Sequence, residues 1–117
     1  MNNLILVRHG QSQWNKERRF TGWADIDLTD HGKAEAEKAG KLIKNLNIQL
    51  DACFTSMLKR ATNSLEIILK VLNINNPNII KTASLNERHY GGLTSLNKDE
   101  TIKKIWKQTS ANLEKKF

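Results

Sequence analysis

Cysteine is almost absent from this chain of 117 residues: Cys53 stands alone, so no disulfide can close within one copy. A reducing, cytoplasmic setting is the expectation that follows. Long hydrophobic runs are also missing. The apolar stretch Leu4-Ile5-Leu6-Val7 is too short for a signal-peptide core or a spanning helix, so no membrane partner is expected. Acidic side chains are in the minority, 12 against 19 lysines and arginines, and the net charge is +7. That balance favours anionic partners without separating small phosphates from nucleic acid. Aromatics are scarce, and the lysines of the tail are not interleaved with them as in a nucleic-acid reader, so a solvated basic face is the preferred reading. No repeat, low-complexity tract or linker divides the chain. At 38% hydrophobic and 26% charged residues it reads as one soluble globular unit over 1–117.

What is present has clear periodicity. Residues 3–8 predict a short apolar strand, and 9–28 carry tryptophan, glycine and charge without period, as a functional loop does. Ala36, Ala39, Leu42, Ile43 and Leu46 are spaced for one helix face, with Thr29 or Asp30 as cap. Residues 51–56 fit a second strand. Ala61, Leu65, Ile68, Leu69 and Leu72 then predict a helix ending before the turn Asn75-Asn76-Pro77. Residues 79–83 fit a third strand and 84–97 a loop holding Gly91-Gly92. A last helix starts near Asn97, where Glu100 sits three residues on as in a capping box, and Ile102, Ile105 and Trp106 share a side. This alternation implies an α/β fold with a parallel sheet between layers of helices.

The segment Arg8-His9-Gly10-Gln11-Ser12 lies directly behind the first predicted strand. An imidazole next to a guanidinium has its pKa lowered, which keeps a nitrogen free as a nucleophile, and the same cation attracts anions. Ligands of parallel sheets collect at the carboxyl ends of strands, and His9, Arg60 and Glu87 all follow predicted strand ends. Each has an ordinary alternative. A strand-end histidine is commonly a hydrogen-bonded structural residue, Arg60 a solvated helix charge, and Glu87-Arg88 a loop ion pair of little energetic worth. Trp14 and Trp23 read as core cover and His31 as surface near a helix start.

Four motifs in order weigh against those alternatives: Arg8 to Asn15 ("RHGQSQWN"), Arg19 to Trp23 ("RFTGW"), Thr55 to Ala61 ("TSMLKRA") and Leu85 to Gly91 ("LNERHYG"), followed by Leu96-Asn97-Lys98. Over residues 3–101 the chain resembles the cofactor-dependent phosphoglycerate mutases of the histidine phosphatase superfamily. The resemblance implies a three-layer α/β/α fold of that type and interconversion of 2-phosphoglycerate and 3-phosphoglycerate, steps of glycolysis and gluconeogenesis. His9 would be the phosphorylated nucleophile, primed by 2,3-bisphosphoglycerate, with Arg8 and Arg60 as bidentate donors to the phosphoryl oxygens. Glu87 would shuttle the substrate proton. Ser12, Asn15, Thr21, Gly22, Arg88, Tyr90 and Lys98 would hold a small phosphorylated substrate. No metal is implied, because arginines take that role, and His89 is given no catalytic part.

The departures are as informative. Members of that family run to roughly twice this length, within the ordinary range of one domain. Their second half carries a strand ending "HG" whose histidine completes the phosphate pocket, and it lies in mid-sheet between the equivalents of 3–8 and 51–56. The 117 residues hold no such strand, and Glu114 and Lys115 stand where an arginine pair is expected, in a divergent tail 102–117. A partial domain of about three strands and three helices is therefore expected. Strands 3–8 and 51–56 would either pair directly or leave a gap. A gene fragment, an inactive remnant, a phosphate-binding module and a homo-oligomer that fills the gap are the readings this leaves beside an impaired enzyme.

Overall fold

The computed structural model describes residues 3–87 and 94–100. Its elements follow in the order α1 (Gln13–Lys16), α2 (Asp30–Lys44), β1 (Cys53–Thr55), α3 (Lys59–Val71) and β2 (Ile79–Lys81), then a 3-10 turn over Ala83–Leu85. β1 and β2 pair in parallel, with Cys53 opposite Ile79 and Thr55 opposite Lys81, and α3 forms the crossover between them. This is the parallel α/β arrangement expected from the alternation of elements.

Helix α2 starts where its capping residue dictates: the Thr29 hydroxyl accepts the Gly32 amide at 3.1 Å. Its buried face is Gly32, Ala36, Gly40 and Ile43. The small residues let α2 come close to α3, and a Cβ on Gly40 would already stand 3.0 Å from the Val71 Cβ. Leu42 and Leu46, expected on the buried face, are instead exposed. Leu42 lies in the last turns of α2 and Leu46 just past its C-cap Asn45, and each is more than half exposed. On α3 the inward stripe is Arg60, Ser64, Ile68 and Leu69, while Leu65 and Leu72 are half-buried.

The first expected strand does not form. Residues 3–8 lie outside the sheet, which holds only β1 and β2 among the described residues, and Leu4 and Leu6 are 83% and 85% exposed. A strand gains its ladder only from a neighbour, and among the described residues none pairs with this segment; the direct pairing with β1 that was one expected outcome does not occur. Within the expected loop 9–28, by contrast, a short helix appears. Ser12 and Asn15 close a capping box around α1, the Asn15 amide donating to Ser12 Oγ at 3.2 Å and the Ser12 amide to Asn15 Oδ1 at 3.1 Å.

Two glycines set the position of this loop. A Cβ on Gly10 would lie 2.0 Å from the Gly32 carbonyl oxygen, so the loop backbone rests directly on the first turn of α2. The Gly10 amide also donates to the buried Ser64 hydroxyl of α3 at 3.1 Å. A second seam joins residues 17–20 to 95–98: Phe20 N–H donates to the Leu96 carbonyl, Ser95 N–H to the Phe20 carbonyl and Lys98 N–H to the Arg18 carbonyl. Asn97 accepts the amides of Asp99 and Glu100, as the expected helix start requires. The remainder of that helix, with Ile102, Ile105 and Trp106, lies outside the described residues.

Candidate active site

The glycine contact and the second seam bring separate parts of the chain around one cleft of about 370 Å³. It is lined by Arg8, His9, Gly10, Gln11, Asn15, Arg18, His31, Glu35 and Lys98. A larger hollow of about 420 Å³ lies at the far ends of α2 and α3, among Ile43, Ile48, Leu50, Leu72, Ile74 and polar neighbours. It contains none of the candidate residues. The chemistry therefore belongs to the smaller, more polar cleft.

His9 is half-buried, and its Nδ1 stands 2.7 Å from the Gly10 carbonyl oxygen. A carbonyl only accepts, so Nδ1 carries the proton and the neutral ring presents Nε2 as its lone pair. Burial holds the His9 pKa below its ordinary 6.5, and the charges of Arg60 and Arg8 push the same way, while the Gly10 hydrogen bond and the Glu87 carboxylate oppose them. The ring is thereby kept neutral, as a nitrogen nucleophile needs.

The expected site residues divide into two groups. Arg8, His9, Asn15 and Lys98 line the cleft. The Lys98 ammonium lies 5.7 Å from the centre of the Phe20 ring, whose face steadies it. Arg60 and Glu87 do not line it, although both charges act on His9. Arg60 is only 2% exposed, and its guanidinium donates to the carbonyls of Ala24 at 2.8 Å and Gly22 at 2.6 Å. Burial lowers its pKa, against the pull of Glu87 and Asp25. Glu87 is exposed, and its carbonyl accepts from the indole N–H of Trp23, which is itself half exposed rather than core cover.

Ser12 is wholly buried in its capping box. Thr21 is buried with its hydroxyl donating to the Arg19 carbonyl, and Gly22 turns with φ 53° beneath Arg60. Arg88 and Tyr90 lie outside the described residues. Five residues of the cleft were not among the candidate site residues: Gly10, Gln11, Arg18, His31 and Glu35. Glu35 follows Gly32 by one helical turn, a spacing that places it on the face the loop contacts. No comparable signal marks Arg18, which reaches the cleft through a left-handed turn at φ 54° and is held there by a two-pronged ion pair with Asp99.

The family model of the histidine phosphatase superfamily (branch 1) matches residues 4–117. The chain belongs to the histidine phosphatase superfamily. It is 57% identical over 102 residues to a 2,3-bisphosphoglycerate-dependent phosphoglycerate mutase of Hamiltonella defensa subsp. Acyrthosiphon pisum (strain 5AT). To the protein of that name from Hydrogenobaculum sp. (strain Y04AAS1) it is 52% identical over 103 residues. These matches cover 87% and 88% of this chain but only 41% and 42% of the relatives, so the chain spans about two fifths of their length. Among solved structures it is similar to Bacillus stearothermophilus YhfR, with a TM-score of 0.71 at 34% identity, over 80% of this chain and 44% of that one. A phosphoglycerate mutase from Bacillus anthracis str. Sterne gives 0.73 at 25% identity, over 79% and 40%. For this member of the superfamily the fold is accordingly that of the phosphoglycerate mutases, represented by one part of their length.

Proposed function

We propose that this histidine phosphatase chain carries the nucleophile-bearing part of a phosphoglycerate mutase site, acting in the cytoplasm on 2-phosphoglycerate and 3-phosphoglycerate with His9 as the residue that takes the phosphoryl group. The observation that carries the reading is the Nδ1 contact to the Gly10 carbonyl, which leaves Nε2 free in a cationic cleft. Attack by Nε2 forms the N–P bond as the P–O bond to the donor breaks. Arg8 and Lys98, which line the same cleft as His9, are the proposed partners that neutralise the phosphoryl oxygens, with Asn15 as a further polar contact. Glu87 is the proposed proton shuttle for the substrate oxygen released or engaged in transfer.

The same donor set suits a doubly phosphorylated carboxylate, since Arg8 and Lys98 bring positive charge to the cleft that His9 lines. Bound there, 2,3-bisphosphoglycerate supplies the phosphoryl group that primes His9. Arg88 and Tyr90 are assigned to substrate on the resemblance of their motif, and Thr21, Gly22 and Ser12 to shaping the loop behind the site.

A second reading, a phosphate-binding module without turnover, is favoured by one feature: both terminal nitrogens of Arg60 are engaged by backbone carbonyls. A coupled assay of 3-phosphoglycerate conversion with added 2,3-bisphosphoglycerate separates the two. Loss of one preorganised donor costs about 2.7 to 4 kcal/mol of transition-state stabilisation. Turnover of the 117-residue chain is therefore expected at least ~10²-fold below a full-length relative and abolished in His9→Ala. Measurable binding with no turnover and no response to His9→Ala leaves only the binding module.

A further inference from the structure

The mechanism so far uses the Gly10 carbonyl as a fixed acceptor, yet that carbonyl belongs to a peptide unit whose other end is also held. Its N–H, that of Gln11, donates to Glu35 Oε1 at 3.0 Å. A trans peptide is rigid and planar, so fixing the N–H of Gln11 fixes the direction of the Gly10 carbonyl. We propose that Glu35 is a positioning residue for His9, acting through the Gly10–Gln11 peptide unit.

The chain of contacts runs from His9 Nδ1 to the Gly10 oxygen at 2.7 Å, across one amide, and from Gln11 N–H to the Glu35 carboxylate at 3.0 Å. A carboxylate on the N–H draws electron density toward the carbonyl oxygen, making it a better acceptor for the Nδ1 proton. Glu35 thus does through a peptide group what a carboxylate behind a catalytic histidine does directly: it selects the tautomer and orients the ring.

The surroundings keep that amide where Glu35 can reach it. The Gly10–Gly32 contact seats the turn on α2, and Glu35 lies one helical turn beyond Gly32. Ser64 holds the preceding peptide by its Gly10 N–H, and the Thr29 amide donates to the Gln11 carbonyl at 2.9 Å. The same Glu35 oxygen faces His31 Nε2 at 3.6 Å. That exposed pair is not needed for the relay.

The consequence for transfer rests on His9 being the nucleophile, but the positioning itself does not. The test uses the 117-residue chain and its variants Glu35→Gln, Glu35→Ala and Glu35→Met. Alanine and methionine are good helix formers, and the site is half exposed, so α2 is retained. Long-range proton–nitrogen NMR of the His9 ring reads the tautomer, and phosphoramidate serves as a small phosphoryl donor for His9. In the wild type the proton is expected on Nδ1. Glu35→Gln, which keeps an oxygen acceptor, should keep that tautomer. Glu35→Ala and Glu35→Met should lose the preference and phosphorylate His9 about tenfold more slowly, the low end for loss of an outer carboxylate behind a histidine.

A wild-type ring protonated on Nε2 overturns the proposal without any variant. So does a folded Glu35→Ala or Glu35→Met chain with the wild-type tautomer. If the tautomer responds to Glu35 while no form takes a phosphoryl group, the positioning stands and the nucleophile reading fails.

Discussion

His9 shows how much one residue owes to its neighbours. Its pairing with Arg8 and a lowered pKa were legible in the sequence, whereas the leading cause, burial, and the Gly10 carbonyl contact needed the fold. The lowered value has a defined effect on stability. As pH falls, the unfolded chain binds this proton first, near 6.5, while the folded ring resists it. The contribution of neutral His9 is complete above that point and declines as pH drops from there toward the folded value. Thermal midpoints measured from about pH 7.5 down to about pH 5 should therefore fall more for wild type than for His9→Gln. Equal slopes would show that the ring titrates alike in both states. Gly10 is the other decisive residue, because an added Cβ meets backbone rather than a movable side chain. Gly10→Ala should cost about 3 kcal/mol in urea unfolding, the upper end for overpacking, and an unchanged midpoint would refute the close approach to Gly32.

At the scale of elements, sequence periodicity worked where a single neighbour suffices. Helix α3 packs chiefly on α2, and it forms over Lys59–Val71, ending before the turn at Asn75 as expected. The Thr29 cap and the Asn97 helix start were readable because capping is local. Residues 3–8 had the right composition for a strand but no strand partner among the described residues, and strand formation is not local. Arg60 was legible as a site residue only by motif. Its clamp on the Gly22 and Ala24 carbonyls depends on a left-handed turn at Gly22 that periodicity does not reveal. Arg60→Ala leaves two carbonyls without their donor in a buried setting. At about 1 to 3 kcal/mol for each unsatisfied group, a loss of at least ~2 kcal/mol is expected. Arg60→Lys should recover less than half of it, since one ammonium does not reproduce a two-pronged fork. Full recovery by lysine would mean that charge, not geometry, holds the loop.

For the whole molecule, the controlling fact is that the chain spans about two fifths of its curated relatives. Leu4, Leu6, Leu42, Leu46 and Phe54 are each more than half exposed, a burden of apolar surface that a protein in isolation tends to hide. Light scattering after size exclusion should show association that grows with concentration, and Leu4→Glu with Leu6→Glu should reduce it. A strictly monomeric wild type would show that this surface is tolerated. The central claim, however, is that a neutral, Nε2-presenting His9 sits ready in a cationic cleft. The most direct measurement is labelling with phosphoryl-labelled 2,3-bisphosphoglycerate, followed by NMR assignment of the modified nitrogen. The account predicts an acid-labile phosphoryl group on His9 Nε2, absent from His9→Ala and formed with little or no turnover. Label on Nδ1, label that survives His9→Ala, or no label at saturating donor would contradict it.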